Sequence, residues 1–331
     1  MISSKGLSAE DRDALIAFVK KAYPDRPNPE EYLDRTVFSL TPEARQHSLL
    51  IYSDGRIIGA NMGLPASAII GEEEYRILWS YDTLVLPDYR NSDAGTIIGA
   101  FWYQHRDIFG AGLSEISVKM QKVMKSKFIA YASAFVKPNI RSKYLLNFIR
   151  PVFSTDFAIE FPAVIEVGKN RFRRIESADA FTEHPDNYWN KGIIEFKRDR
   201  RFIAWRFFYK NSPYALYQLD GNKYRPVYFA ARKTVWHNIP LIYIADYRFD
   251  LTDTEDFTLI LKSAEKLCRI SKCGGVYFRS SIKELNHILK QRGYIQKGKG
   301  AQIATRFKPA VKQDYPVFFT PADSDMDFKQ D

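Results

Sequence analysis

The hydrophobic pattern changes period most sharply between Tyr75 and Arg106, YRILWSYDTLVLPDYRNSDAGTIIGAFWYQHR. From Tyr75 to Leu86, β-branched, aromatic and leucine residues follow one another without Gly or Pro, the pattern of a largely buried strand; Pro87 removes the backbone donor that would continue it. From Thr96 the apolar residues fall at Ile97, Ile98, Phe101, Trp102, Ile108 and Phe109, a helical stripe. Between them lies the polar loop Arg90-Asn91-Ser92-Asp93-Ala94-Gly95. A loop that runs into a helix presents amides with no intrahelical partner at the positive end of the dipole, so it is a ready anion site, and phosphate is its natural guest.

Before this stretch, Ser8-Ala9-Glu10-Asp11 resembles a capping box in front of Leu15, Phe18, Val19 and Ala22, an amphipathic helix that breaks at Pro24. A second helix is expected from Pro29 to Phe38. Ser48–Tyr52, the turn Ser53-Asp54-Gly55 and Arg56–Ala60 read as a hairpin, Asp-Gly supplying the positive φ angles of a tight turn. After the central helix, Leu113–Val118 reads as a strand, Lys119–Ser126 as a helix and Ile129–Val136 as a strand. Pro138 to Asp186 has poor periodicity and holds Pro151, Pro162 and Pro185, so it reads as a connection with a short strand at Ala163–Val167.

The second half repeats the order. A helix over Asp199–Phe207 leads to a hairpin, Tyr214–Leu219 with Pro226–Lys233, and a strand at Leu241–Arg248. Thr252-x-x-Glu255 and Ser281-x-x-Glu284 each resemble a capping box before a helix, and Gly275–Phe278 is a strand between them. Gln302–Phe307 is expected to close this half's sheet. The counterpart of the polar loop, Asp246 to Asp253, has no Gly and carries Asp246, Asp250 and Asp253, so it is a poor phosphate cradle.

With 331 residues, 45% of them hydrophobic and 27% charged, the chain has the length of two domains and the composition of a soluble protein, and the expected location is cytoplasmic. Cys268 and Cys273 are the only cysteines, which indicates neither a disulfide framework nor a metal centre. A net charge of +10 suits an acidic ligand, an anionic surface or nucleic acid, but no nucleic-acid recognition motif accompanies it. Lys119, Lys122, Lys125 and Lys127 alternate with Met120, Val123, Met124 and Phe128, as on a solvated helix face opposite a buried one.

The run V-L-P-D-Y-R-N-S-D-A-G resembles the pyrophosphate loop of the GNAT acyltransferase superfamily, V-x-P-x-[YF]-R-x-x-G-x-[GA]; Val85, Pro87, Tyr89, Arg90 and Gly95 match, and Asp93 stands where the family usually has its first Gly. In the second half, Asp199 to Arg206 is similar to the phrase D-x-x-[FY]-[LI]-x-W-R of C-terminal GNAT-like halves. The resemblance implies an α/β (α+β) fold of two tandem GNAT-like domains, each a mixed, mostly antiparallel sheet flanked by helices. It sets an N-terminal domain with the acyl-CoA loop at 1–137, a connecting segment at 138–186, a C-terminal domain without the loop at 187–310, and a disordered acidic tail at 311–331. Fem-type aminoacyl transferases and N-myristoyl transferases are family branches of this tandem kind.

By the same resemblance the activity is N-acyl transfer from acetyl-CoA, or another acyl-CoA, to a small-molecule amine or a peptide, without metal, nucleic acid or membrane. A catalytically inactive binding or assembly module is the alternative. The donor would lie on backbone groups of Leu84, Val85 and Leu86 and on Arg90, Asn91, Ser92, Asp93, Ala94, Gly95 and Thr96. Asp82 stands where the family commonly has its base. The family's general-acid Tyr is absent, its place taken by Val123 or Met124. Trp205 and Arg206, from the second copy, are the residues expected to meet the acceptor.

Overall fold

The computed structural model describes residues 1–324 apart from 25, 27, 106, 187, 222–224 and 308–313. In chain order it runs β1 (Ile2–Gly6), α1 (Arg12–Ala22), α2 (Pro29–Leu33), α3 (Pro42–Arg45), β2 (Leu49–Ser53), β3 (Arg56–Gly71), β4 (Glu73–Val85), α4 (Ala94–Gln104), β5 (Ile108–Ala111), α5 (Glu115–Val123) and β6 (Lys127–Pro138). It continues with β7 (Val164–Val167), β8 (Asn170–Ile175), β9 (Ile193–Phe196), α6 (Arg200–Phe207), β10 (Ala215–Leu219), β11 (Tyr228–Trp236) and β12 (Ile239–Arg248). Last come α7 (Thr254–Ile270), β13 (Gly275–Ser280), α8 (Lys283–Gln291), β14 (Ile295–Thr305) and β15 (Val317–Phe318).

The strands form one continuous sheet in the order β1-β2-β3-β4-β5-β14-β6-β13-β12-β11-β10-β8-β7. Neighbours along this path are antiparallel except at β4–β5 and β12–β13, one parallel pair in each half, while off the path β15 pairs parallel with β9. Both parallel pairs follow a crossover helix, α4 in the first half and α7 in the second. Each of these helices buries an apolar stripe, Ala94, Ile98 and Trp102 on α4 and Phe257, Ile260, Leu261, Ala264 and Leu267 on α7.

Several expectations fail at points where local pattern cannot see tertiary pairing. Ile108 and Phe109 belong to β5, not to the helical stripe, since α4 stops at Gln104. The strand expected over Leu113–Val118 is instead the start of α5, because Ser114 caps it, its Oγ accepting from the Ser117 amide at 3.2 Å. Ser281 makes no cap; its hydroxyl donates to the Val317 carbonyl. The α7 cap is Asp253 rather than Thr252.

The larger correction concerns β14. It does not close its own half alone but lies between β5 and β6, antiparallel to both, while β6 in turn pairs with β13 of the second half. Each half therefore lends a strand to the other, and the cut expected at residue 137 falls within a shared sheet. β9 adds a second tie, pairing antiparallel with the end of β3. The core follows suit: Ile194, Phe196, Ile303 and Phe307 pack in one cluster with Leu15, Trp79 and Phe109.

The expected acidic tail also differs. Val317 and Phe318 pair with β9, and Thr320 to Ser324 are buried, with Asp323 bound to Arg198 and Arg248. A carboxylate in that position has two guanidinium partners, which a disordered tail would leave unpaired. Asp325, Asp327 and Asp331 lie outside the described residues.

Candidate functional site

β4 pairs with β3 nearly throughout, but with β5 only at Leu78–Ile108, Trp79–Phe109 and Ser80–Gly110. Past Ser80 the two parallel neighbours part, so the edge of β4 from Tyr81 to Val85 that is turned toward β5 has no strand partner. A bulge accompanies the divergence. Tyr81 faces Met62 and Leu84 faces Ala60, which leaves one residue too many on β4, and Asp82 there has φ +44°. Bulges bend a strand and increase its twist, and Asp is among the few residues that tolerate the left-handed region. Between the parted strands lies a cavity of about 100 Å³ walled by Tyr23, Ser80, Asp82, Thr83, Gly112 and Ser117, among others.

Asn61, fully buried on β3, ties this region to the helix. Its Oδ1 accepts from Ser80 Oγ at 3.0 Å, Thr83 Oγ1 at 2.7 Å and Trp102 Nε1 at 2.9 Å. The indole can only donate, so it fixes which end of the amide is oxygen. One side chain thereby locks the bulge of β4 against α4, whose N-terminus carries the polar loop.

In that loop Ser92 organises the backbone. Its amide and hydroxyl both donate to the Tyr89 carbonyl, at 3.1 and 2.7 Å, and its Oγ accepts from the Ala94 amide at 3.3 Å. The amides of Ser92 and Ala94 are thus engaged, whereas those of Asn91, Asp93, Gly95 and Thr96 have no acceptor among the described residues. Arg90 is exposed, and among the described residues its one hydrogen bond runs from Nε to the Val85 carbonyl at 3.4 Å. Asp93 is the N-cap residue by position, but its exposed carboxylate accepts no backbone N–H. A Cβ built on Gly95 would meet nothing within 4 Å, so the backbone there can be approached closely.

The remaining expected residues are placed differently. Asp82 is not an open base: Arg26 grips both its oxygens, Nη2 to Oδ1 at 2.8 Å and Nη1 to Oδ2 at 2.5 Å, and the Tyr32 hydroxyl donates to Oδ2 at 2.6 Å. The pair is almost wholly buried, with 5% and 2% of its side chains exposed. A carboxylate so occupied has little capacity to take a proton from an amine. Trp205 and Arg206 are adjacent in sequence but part company in space. Trp205 is half-buried at the junction of the halves, 6.3 Å from Trp79 between ring centres, with Nε1 toward the Arg35 carbonyl. Arg206 is buried beneath the C-terminal segment, Nη2 donating to the Ser324 carbonyl at 3.3 Å, so it does not face the cavity. Val123 is exposed and Met124 packs with Trp102 and Ile108, whereas Ser114, Ser117 and Gln121 are the α5 positions that face the cavity.

The sequence reading missed Asn61, Arg26, Tyr32 and Tyr23. Asn61 did carry a signal, a lone amide in the apolar run Ile57 to Leu64. Arg26 sits in a Pro-flanked loop that gives no hint of a partner at residue 82.

No family model matches the sequence, and no curated protein matches it either. Solved structures do. A GCN5-related N-acetyltransferase from Anabaena variabilis superposes with a TM-score of 0.60 at 11% identity, over 92% of this chain and 72% of that one. N-myristoyltransferase from Saccharomyces cerevisiae, with myristoyl-CoA bound, gives 0.61 at 8% identity, over 96% of this chain and 89% of that one. A probable N-acyltransferase from Enterococcus faecalis gives 0.58 at 11% identity, over 92% and 72%. The chain has a tandem GNAT fold. At these identities the likeness establishes the fold alone, and it covers nearly the whole chain. No helix among the described residues is long and apolar enough to cross a membrane.

Proposed function

We propose that the first half of this GNAT-fold protein binds an acyl-CoA, with acetyl-CoA the favoured donor, and transfers its acyl group to an amine. The observation that carries this reading is the parting of β4 from β5 directly beside an α4 N-terminus whose Gly95 and Thr96 amides are open. Pyrophosphate sits on those amides and on Asn91 and Asp93, with Arg90 alongside. Pantetheine then runs along the unpaired edge of β4, where an extended chain bearing amides adds to a strand edge as a further strand would. A cavity of about 100 Å³ suits a short acyl group and not a fatty chain.

In the reaction the amine nitrogen attacks the thioester carbonyl carbon, the C–S bond breaks, and the proton released from nitrogen ends on sulfur. A thiol is far more acidic than an alcohol or an amine, so it leaves without a strong acid and the missing Tyr is not disabling. With Asp82 held by Arg26 and Tyr32, water in the cavity takes the amine proton, and Ser117 is the α5 hydroxyl in the cavity wall. The acceptor enters from the side of Tyr23, an aromatic side chain in the cavity wall that can order it.

Calorimetric titration with acetyl-CoA tests the reading, with Gly95→Glu as the paired variant. The parent is expected to bind and the variant to lose binding at least tenfold while melting at the same temperature, because bulk and a negative charge then stand where phosphate must approach. A variant that binds as tightly as the parent places the donor elsewhere.

A further inference from the structure

The connection between the halves presents a surface that neither the fold nor the donor site uses. Between Glu115 and Asp156 the sequence contains neither Asp nor Glu, but it carries Arg141, Lys143 and Arg150 around the stretch Tyr144-Leu145-Leu146-Asn147-Phe148-Ile149. In the structure this stretch turns Asn147 inward, beside Tyr144, and Leu146, Phe148 and Ile149 outward. Asn147 is buried, while Phe148 is 63% and Ile149 87% exposed, with Leu146 and Val152 also exposed beside them.

This inversion is not slackness in a loose loop. Asn147 uses its full hydrogen-bonding capacity. Its Nδ2 donates to the carbonyls of Phe153 at 2.7 Å and Asn238 at 2.8 Å, and its Oδ1 accepts from the amides of Val152 at 3.0 Å and Phe153 at 2.9 Å. Tyr144 stacks inward on Phe157 at 5.5 Å. Farther back, Asn139 and Ser142 are tied to the carbonyls of Cys273 and Lys272. The segment is therefore pinned in a shape that keeps its apolar tip in water, which is unfavourable relative to covering it.

We propose that this tip is a seat for an anionic lipid surface. Exposed Phe and branched aliphatic side chains, in a run from 139 to 155 whose charged residues are Arg141, Lys143 and Arg150, match a layer in which the apolar tip enters beneath the headgroups while the three cations meet phosphates. A protein partner would need a pocket to receive a protruding tip and acidic side chains for three cations at once, and nothing on this chain asks for such specificity. The proposal departs from the expectation of no membrane contact and does not depend on the donor-site reading. It makes the protein peripheral, since the tip is far too short to span a bilayer.

Co-flotation with vesicles tests it, using the full chain with phosphatidylglycerol–phosphatidylcholine mixtures and with phosphatidylcholine alone. The parent is expected to float with the anionic vesicles and to be released by salt. Phe148→Ser with Ile149→Ser, and separately Lys143→Glu with Arg150→Glu, are each expected to lower partitioning about tenfold. Both pairs of sites are at the surface, and unchanged thermal melts confirm that the fold is kept. Absence of the parent from floated vesicles overturns the proposal, as does equal partitioning of the apolar variant. A parent that dimerises in sedimentation velocity, with the apolar variant monomeric, overturns it too, because the tip is then an interface between copies.

Discussion

Asp82→Asn separates two roles that sequence alone leaves together, proton acceptor and anchor. The substitution keeps size, and Asn tolerates the left-handed backbone at φ +44°. It removes the charge that Arg26 grips with two nitrogens, and it sets an amide NH2 against the guanidinium or the Tyr32 hydroxyl. Breaking one side of a buried, fully engaged ion pair costs about 3–5 kcal/mol, most of it the burden of the charge left behind. At roughly 2–4 °C per kcal/mol, as for large domains, the melting temperature should fall by about 6–20 °C. Arg26→Met should cost a similar amount, and the double variant much less than the sum of the two, since neither charge is then stranded. Differential scanning calorimetry of the four proteins, with acetyl-CoA binding measured beside it, decides the matter. If Asp82→Asn melts with the parent but loses turnover a hundredfold with donor affinity intact, Asp82 is the base and the anchoring account is wrong.

A saturating titration should find one acyl-CoA site per chain, since in the second half Asp253 accepts the Glu255 amide and Asp250 the Thr252 amide, leaving no comparable cradle at α7. Arg198→Met leaves the buried Asp246 and Asp323 to share Arg248, so it should cost about 3–5 kcal/mol and expose residues 315–324 to limited proteolysis, whereas an uncut tail with an unshifted denaturation midpoint would refute the latch. Burial, with Asp253 and Asp250 nearby, raises the Asp256 carboxyl from 3.8 to about 6. Its folded value lies above its unfolded one, so its contribution is full below about pH 4 and is lost as pH rises through 6; Asp256→Asn should flatten the urea midpoint across that window.

The strand, loop and helix around residues 85–96 were legible because their determinants are local: a strand ended by Pro87, a polar turn and a helix start are all written within about twenty residues. Even there the sequence could not say which amides are free, since that depends on the Ser92 hydroxyl reaching Tyr89 and Ala94. The strand exchange was illegible for a different reason. β14 reads as a strand from its own residues, but its choice of β5 over a neighbour in its own half is a matter of long-range pairing that periodicity does not encode. Trp205 and Arg206 show the same limit at the scale of one residue. Consecutive positions on α6 point to different surroundings, the one toward Trp79 and the other under Ser324.

The two halves argue together for the role of Asp82. At the bulge of β12, Asp246 repeats its arrangement: Arg198 Nε donates to it at 2.8 Å and the Tyr228 hydroxyl at 2.8 Å, as Arg26 and Tyr32 do for Asp82. Burial works against the charge of Asp246, but Arg198 and Arg248 outweigh it and hold the carboxyl at about 2. In that half the divide past the paired part of β12 and β13 is occupied by the chain itself. Val317 and Phe319 bind Ser281 at the end of β13, while Thr320 and Asp323 bind Asp246 and Arg248 on β12. An Asp–Arg–Tyr set that recurs where residues 317–323 fill the divide fits a role in the fold, fixing a bulged strand as it leaves its parallel neighbour. The halves differ instead in the space beyond the bulge. The second half fills its divide with residues 317–323, whereas the first leaves a cavity between β4 and α5, walled by Asp82, Thr83 and Ser117.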